Sequence, residues 1–335
     1  MVAKDRSWLG RWCSTASAPF RGPAGWGWRW LAGLLPAVLL ATLPSAARAS
    51  TVLPFRGVCR HAALATPHTP GQRAMWVGTG ADPTQLIAFA VTHNVQRLFL
   101  AVSAHVDDTA HRVERSRLQQ TITLAHGVGL AVEALGGDSG WLDQGTGPLS
   151  SWLLPALGVG RWDGVHLDIE PYTTPAWSTD RAGTINRYLR LLSNMVSMSG
   201  PTRPVEADVP FFYNQIDAGA AGPALDAAVL ACVNSVAIMA YRNTAIGADG
   251  TPALADATLA AAQAAGKQAH VGQETNNLNQ PAPWPPDPSL TKQTFYGMTA
   301  AAMEAVLGPL NTALTTAHPS YNGLSIQDYN GWQTI

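Results

Sequence analysis

Charge is scarce in this chain. Only 13% of its 335 residues are charged, about half the ~25% usual for soluble domains. Lysine is nearly absent: Lys4, Lys267 and Lys292 are the only three. The 21 Lys+Arg and 22 Asp+Glu nearly cancel. Nucleic acid is usually met by a basic face, so this balance argues against such a partner. Three cysteines are too few for a disulfide-stapled scaffold. No glycine-rich phosphate loop opens the first helix, because Gly78-Thr79-Gly80 lacks the third glycine and the spacing that follows it. No G-x-S-x-G segment supports a serine hydrolase. His105, Asp107 and Asp108, or His166 with Asp168, are metal-ligating types without a zinc spacing, so neither metal nor cofactor is expected. What the chain does have is apolar residues, 47% in all. That content is incompatible with a disordered chain.

Long hydrophobic runs are also missing. The longest apolar stretch, Trp30 to Ala41, falls short of the ~20 residues of a membrane span and contains Pro36. Before it stand Lys4, Arg6, Arg11, Arg21 and Arg29 against the single acid Asp5, and after it comes Ala47-Arg48-Ala49. A basic region, an apolar region and a small-x-small site make a secretory signal over residues 1–49, cleaved near Ala49-Ser50. The expected location is therefore secreted or periplasmic, with no membrane attachment after cleavage. The rest of the chain is then distinctly acidic and keeps two cysteines, Cys59 and Cys232. In an oxidising compartment they either pair or remain two separate buried thiols.

Residues 50–335 read as one domain of alternating elements. Short apolar runs begin at Ala74, Arg97, Gly129, Gly164, Pro204, Ser235, Gln268 and Gly323, and helical stretches separate them. Asp82-Pro83 has the form of a helix start, an N-cap followed by proline at the first helical position. Eight strand-helix repeats over some 280 residues predict a (β/α)8 TIM barrel of the α/β class, for which ~250 residues is typical. The richest proline stretch, residues 280–288, then falls in the loop after the seventh strand.

Chemistry in such barrels sits at the carboxyl ends of the strands. Those ends are polar and acidic here, with Glu133 on the third strand, Asp208 and then Tyr213 on the fifth, and Arg242 after the sixth. Glu274 and Asn276 follow on the seventh, Gln327 and Tyr329 on the eighth. The fourth strand is the sharpest signal. Side chains alternate along a strand, so Val165, Leu167 and Ile169 face the outer helices while His166, Asp168 and Glu170 face the interior. Neighbouring buried carboxylates raise one another's pKa, the state a general acid needs. The bland alternative is a hydrogen-bonded cluster that only holds the barrel together.

Asp163-Gly164-Val165-His166-Leu167-Asp168-Ile169-Glu170 resembles the D-G-x-D-x-D-x-E strand of family 18 glycoside hydrolases, the chitinase-like barrels. Met239-Ala240-Tyr241 resembles that family's M-x-Y segment, and the stretch from Gly323 to Tyr329 with Trp332 resembles its last strand. The resemblance implies that Glu170 protonates the leaving oxygen. It implies further that Asp168 orients an N-acetyl group acting as nucleophile, and that Tyr241 supports that group. Two positions depart from the pattern. His166 replaces an aspartate that in the family shares a proton with its neighbour, and Arg242 stands where a second aspartate is usual.

A second enzymatic reading pairs Glu170, as acid/base, with Glu274 as nucleophile of a retaining glycosidase. The preferred reading of Glu274 is a hydrogen-bonding group of a sugar subsite. A carbohydrate ligand is also suggested by Trp141, Trp177, Trp284 and Trp332, which follow strands three, four, seven and eight. Indole faces cover the C–H face of a pyranose. The expected substrate contacts are therefore His166, Glu133, Asp208, Tyr213, Arg242, Glu274, Asn276, Gln327, Tyr329, Trp332, Trp141 and Trp177. The expected activity is cleavage of a glycosidic bond in a polysaccharide or glycoconjugate. The alternative outside enzymology is a barrel lectin that binds a glycan without cutting it.

Overall fold

A computed structural model describes Cys59, residues 72–279 and residues 288–335. The expected signal segment and Trp284 lie outside the described residues. Eight strands form a closed parallel barrel in chain order: β1 (Arg73–Val77), β2 (Val95–Ala101), β3 (Ala131–Gly136), β4 (Gly164–Leu167), β5 (Val205–Pro210), β6 (Ser235–Met239), β7 (Gln268–Glu274) and β8 (Tyr321–Gln327). The first half carries helices α1 (Pro83–Thr92), α2 (Arg112–Gly127), α3 (Leu154–Leu157), α4 (Ala176–Thr179) and α5 (Arg181–Ser199). The second half carries α6 (Leu225–Cys232), α7 (Thr251–Ala264), α8 (Pro288–Thr291), α9 (Ala300–Ala317) and α10 (Tyr329–Trp332). The TIM barrel read from the alternating runs is the architecture observed.

Local signals act as expected. Asp82 caps α1, its Oδ1 accepting from Gln85 N at 3.0 Å, with Pro83 as the first helical residue. Strand β4 is shorter than its alternation suggests. Its pairing with β5 ends at Leu167↔Ala207, and the next residues are held by β3, where Asp168 N donates to the Gly136 carbonyl at 3.0 Å. The alternation nevertheless persists, since Val165, Leu167 and Ile169 all enter the outer core between strands and helices. Cys59 and Cys232 are joined as a disulfide, so of the two readings the paired one holds.

The barrel interior is unusual. Such interiors are ordinarily filled by branched apolar side chains. Here the interior apolar cluster consists of Ala74, Trp76, Phe99 and Ala237 with Leu135 beside them. Around it are buried ionisable groups. Arg97 is paired with Glu133, and Glu206 accepts from Ser235 Oγ at 2.7 Å and lies 3.0 Å from His270 Nδ1. His166 lies flat on Phe99, ring centres 3.7 Å apart. Unpaired, such groups would be prohibitive inside a barrel; here Arg97 is paired with Glu133, His166 with Asp208 and His270 with Glu206.

Candidate functional site

Immediately past the end of β4 the chain carries Asp168 and Glu170. Their placement is fixed by close packing. A Cβ on Gly137 would lie 1.8 Å from the Asp168 carbonyl oxygen, so only glycine lets the end of β3 approach here. The Glu170 carbonyl accepts from Ser139 Oγ at 2.8 Å and Thr173 Oγ1 at 2.7 Å, which anchors the turn Pro171–Thr173. Within that turn Tyr172 folds back and its hydroxyl donates to Glu170 Oε1. Glu170 is left 6% exposed.

Burial raises the Glu170 pKa to about 7, with the Tyr172 hydrogen bond acting against the rise and the charge of Asp208 adding to it. Asp168 is driven well above the usual carboxylate range by burial, then by the charges of Asp208 and Glu170 and a hydrogen bond with Asp208. Its Oδ1 is buried without a hydrogen-bond partner among the described residues. The phenols of Tyr188 and Tyr213 are likewise buried without partners there, and both are raised by burial and by the carboxylates nearby. Chemically, this is a proton-holding carboxyl two residues after a second carboxyl, a pairing able to serve general-acid chemistry.

His166 and Asp208 form the layer beneath. His166 Nε2 is 2.9 Å from Asp208 Oδ1, and Trp76 Nε1 donates to Asp208 Oδ2 at 3.2 Å. Burial opposes a charge on His166, but Asp208, Glu133 and Glu206 outweigh it and raise the imidazole to about 10. Glu206 is held far below the carboxylate range: its burial is offset by His270, His166 and Ser235. Trp76, Tyr172 and Glu206 were not among the expected site residues. The period-two pattern puts Trp76 inward beside Ala74, and Tyr172 is two residues from Glu170, so both had a signal in the sequence.

Tyr241 stands past β6, half-buried, with its ring over Gly272: a Cβ there would lie 2.8 Å from Tyr241 Cε1. Glu274 ends β7 in register with Gln327 of β8. Its Oε1 accepts from Thr275 N at 2.8 Å, Asn276 N at 2.7 Å and Asn276 Nδ2 at 2.9 Å. Burial raises Glu274 to about 8, against the Asn276 hydrogen bonds and with help from the Asp328 charge. Asn276 thus acts as a brace for Glu274.

Several expected contacts are occupied elsewhere. Glu133 points into the barrel and is used by Arg97; Gly164 makes room for it, since a Cβ there would lie 2.9 Å from its carboxyl carbon. Arg242 is engaged by the loop that follows β6. Its Nε and Nη2 donate to Asp249 Oδ1 at 3.0 and 2.8 Å, and Lys292 grips the other Asp249 oxygen at 2.5 Å. Asn243 Nδ2 adds 3.0 Å bonds to the carbonyls of Thr291 and Thr294, so the loops after β6 and β7 are stitched together.

The aromatic platforms are also packed rather than open. Trp141 lies against Trp152, Trp177 between Tyr213 and Arg181, and Tyr213 is fully buried. Trp332 and Tyr329 belong to α10 and pack on Phe89 of α1, outside the barrel, with ring centres 5.4 and 5.3 Å away. Indoles in a small domain bury their faces wherever apolar area is available, and these have done so. A cavity of about 300 Å³ lies away from Glu170, over Asp107, Arg115, Ser150, Leu154, Pro155 and Gly158.

No known family model matches the chain, and no curated protein does. Among solved structures it is similar to a chitinase from Rhizomucor miehei, at 13% identity over 77% of this chain and 95% of that one, with a TM-score of 0.47. It is similar also to the GH18 chitinase of Cycas revoluta in complex with (GlcNAc)3, at 11% identity over 77% and 95%, TM-score 0.47. A third is the Bacillus cereus spore cortex-lytic enzyme SleL, at 11% over 78% and 72%, TM-score 0.49. The fold of this chain, a (β/α)8 barrel, stands on its own closed ring of eight parallel strands.

Proposed function

We propose that this protein is a glycoside hydrolase acting outside the cytoplasm on a polysaccharide or glycoconjugate, with Glu170 as general acid, Asp168 assisting and Tyr241 supporting. The observation that carries the reading is the state of Glu170. It is a carboxyl at the carboxyl end of β4, holding its proton to about pH 7, with a second carboxyl two residues before it. A carboxyl with that pKa donates a proton to a leaving oxygen at neutral pH without a large energetic penalty. The Cys59–Cys232 disulfide supports an oxidising compartment, in keeping with the signal over residues 1–49. Among the described residues no helix is long and apolar enough to cross a membrane.

The two-glutamate reading is weaker. A nucleophile must be ionised, and Glu274 with a pKa of about 8 is mostly neutral at pH 7, its Oε1 held by three N–H groups of its own loop. The lectin reading is favoured by one observation, the Tyr172 cover over Glu170. The variant E170Q separates the two. On a panel of N-acetylated and plain glycans, the enzyme reading requires wild-type cleavage and at least a ~100-fold loss in E170Q with binding retained. Wild-type binding without cleavage of any glycan supports the lectin instead.

A further inference from the structure

Strand β4 carries His166 where the motif it resembles has an aspartate that shares a proton with its neighbour. The His166 ring is committed elsewhere. It is fully buried, with Nε2 2.9 Å from Asp208 Oδ1 and Nδ1 3.4 Å from Glu206 Oε1 and 3.8 Å from Glu133 Oε2. Asp208 takes a second donor, Trp76 Nε1–H, on its other oxygen. In the register of β4 on β5, where Leu167 pairs with Ala207, Asp168 follows beside Asp208, and the Asp208 charge adds to the burial that holds Asp168 above the usual carboxylate range. Two neighbouring buried carboxyls carry one charge more readily than two, so a proton is held between them. His166 and Trp76 both converge on Asp208, whereas Asp168 Oδ1 has no hydrogen-bond partner among the described residues.

We infer that Asp208, gripped from two sides by His166 and Trp76, is a positioning residue that receives the Asp168 hydrogen bond, so that β5 supplies the proton-sharing partner β4 has lost. The grip stands on geometry alone. Its effect on turnover rests on the hydrolase reading given above. The charged groups facing His166 are Asp208 and Glu206 from β5 and Glu133 from β3, with Arg97 of β2 behind Glu133 and His270 of β7 behind Glu206. Phe99 and Trp76 wall the ring with apolar surface. Three acids against one fixed cation, Arg97, favour the charged form of the imidazole.

Ring-nitrogen NMR of the intact protein tests the grip. An ordinary imidazole is neutral at about pH 8. His166 should be doubly protonated there in the wild type and should lose that proton at lower pH in D208N. A wild-type His166 that is neutral at about pH 8, or one unmoved by D208N, overturns the inference. W76F removes one donor and keeps the carboxylate, so it should change the titration in a smaller measure, and it replaces D208N if that variant does not fold; no change in W76F then overturns the inference. In turnover, D208N should lower kcat at least tenfold, leave KM within threefold and displace the pH profile. A merely structural Asp208 would lower stability with the profile unmoved, which also overturns the inference. If the wild type cleaves no glycan, it is the hydrolase reading that fails, and the imidazole titration alone decides the grip.

Discussion

At the scale of single residues, the proposed chemistry turns on Glu170 and Tyr172. The Tyr172 hydrogen bond favours the ionised carboxyl and so restrains the rise that burial imposes. In Y172F the restraint is gone, Glu170 keeps its proton to higher pH, and the alkaline limb of the kcat profile moves upward; a pH–rate series checks this. Gly137 is the second sensitive point. In G137A the new methyl meets the Asp168 carbonyl at 1.8 Å, and backbone cannot give way as a side-chain tip does. A loss of about 3 kcal/mol or more is expected in denaturant unfolding, together with a fall in kcat because Asp168 is displaced. Period-two alternation places Asp168 and Asp208 on the inward side, and both are buried there. It says nothing of the surroundings of Arg242, Trp141, Trp177 and Trp332, which pack against other groups of the protein. Whether an indole offers its face to a sugar or to another ring depends on neighbours distant in the chain, and Asp249, which captures Arg242, sits in a loop with no periodicity to place it.

At the scale of elements, the strands and the capped first helix were legible because local physics specifies them: apolar runs, N-caps and the alternation of faces. Their ends were less so. The run through Tyr241 suggests a longer sixth strand, but β6 stops at Met239, where the Ala240 N–H turns back to the Ile238 carbonyl at 2.8 Å. Long-range ties were left open by the sequence. The Cys59–Cys232 bond fastens a residue preceding the barrel to the end of α6 across 173 positions. A loop of that size predicts that C232S costs about 3–5 kcal/mol, on the chain-entropy account. Thermal melting of C232S against wild type, both under non-reducing conditions, measures it; reductant should lower the wild type toward the variant.

For the whole molecule, the buried interior dictates the response to pH. Glu170, Glu274 and His166 have folded-state values of about 7, 8 and 10, all above their ordinary 4.5, 4.5 and 6.5. Groups raised in this way contribute stability that is complete below the ordinary value and is lost as pH climbs through the folded one. Glu206 is lowered, so its contribution is lost as pH falls from 4.5. Melting temperature should therefore peak in mild acid, near the ordinary carboxylate values, and decline toward pH 10. The Glu274 share of that decline, between pH 4.5 and 8, is on the order of 5 kcal/mol at about 1.4 kcal/mol per unit. E274Q cannot titrate and should flatten that part of the curve; an unchanged slope would show that Glu274 is not raised.

The stitching of the loops after β6 and β7 by Arg242, Asp249, Lys292 and Asn243 has a mechanical outcome. One arc of the rim is cross-braced by ion pairs, whereas the arc beside β4 is held by hydrogen bonds of the turn Pro171–Thr173, among them Tyr172 to Glu170. High salt, which loosens exposed ion pairs, slackens the first arc and leaves the second alone.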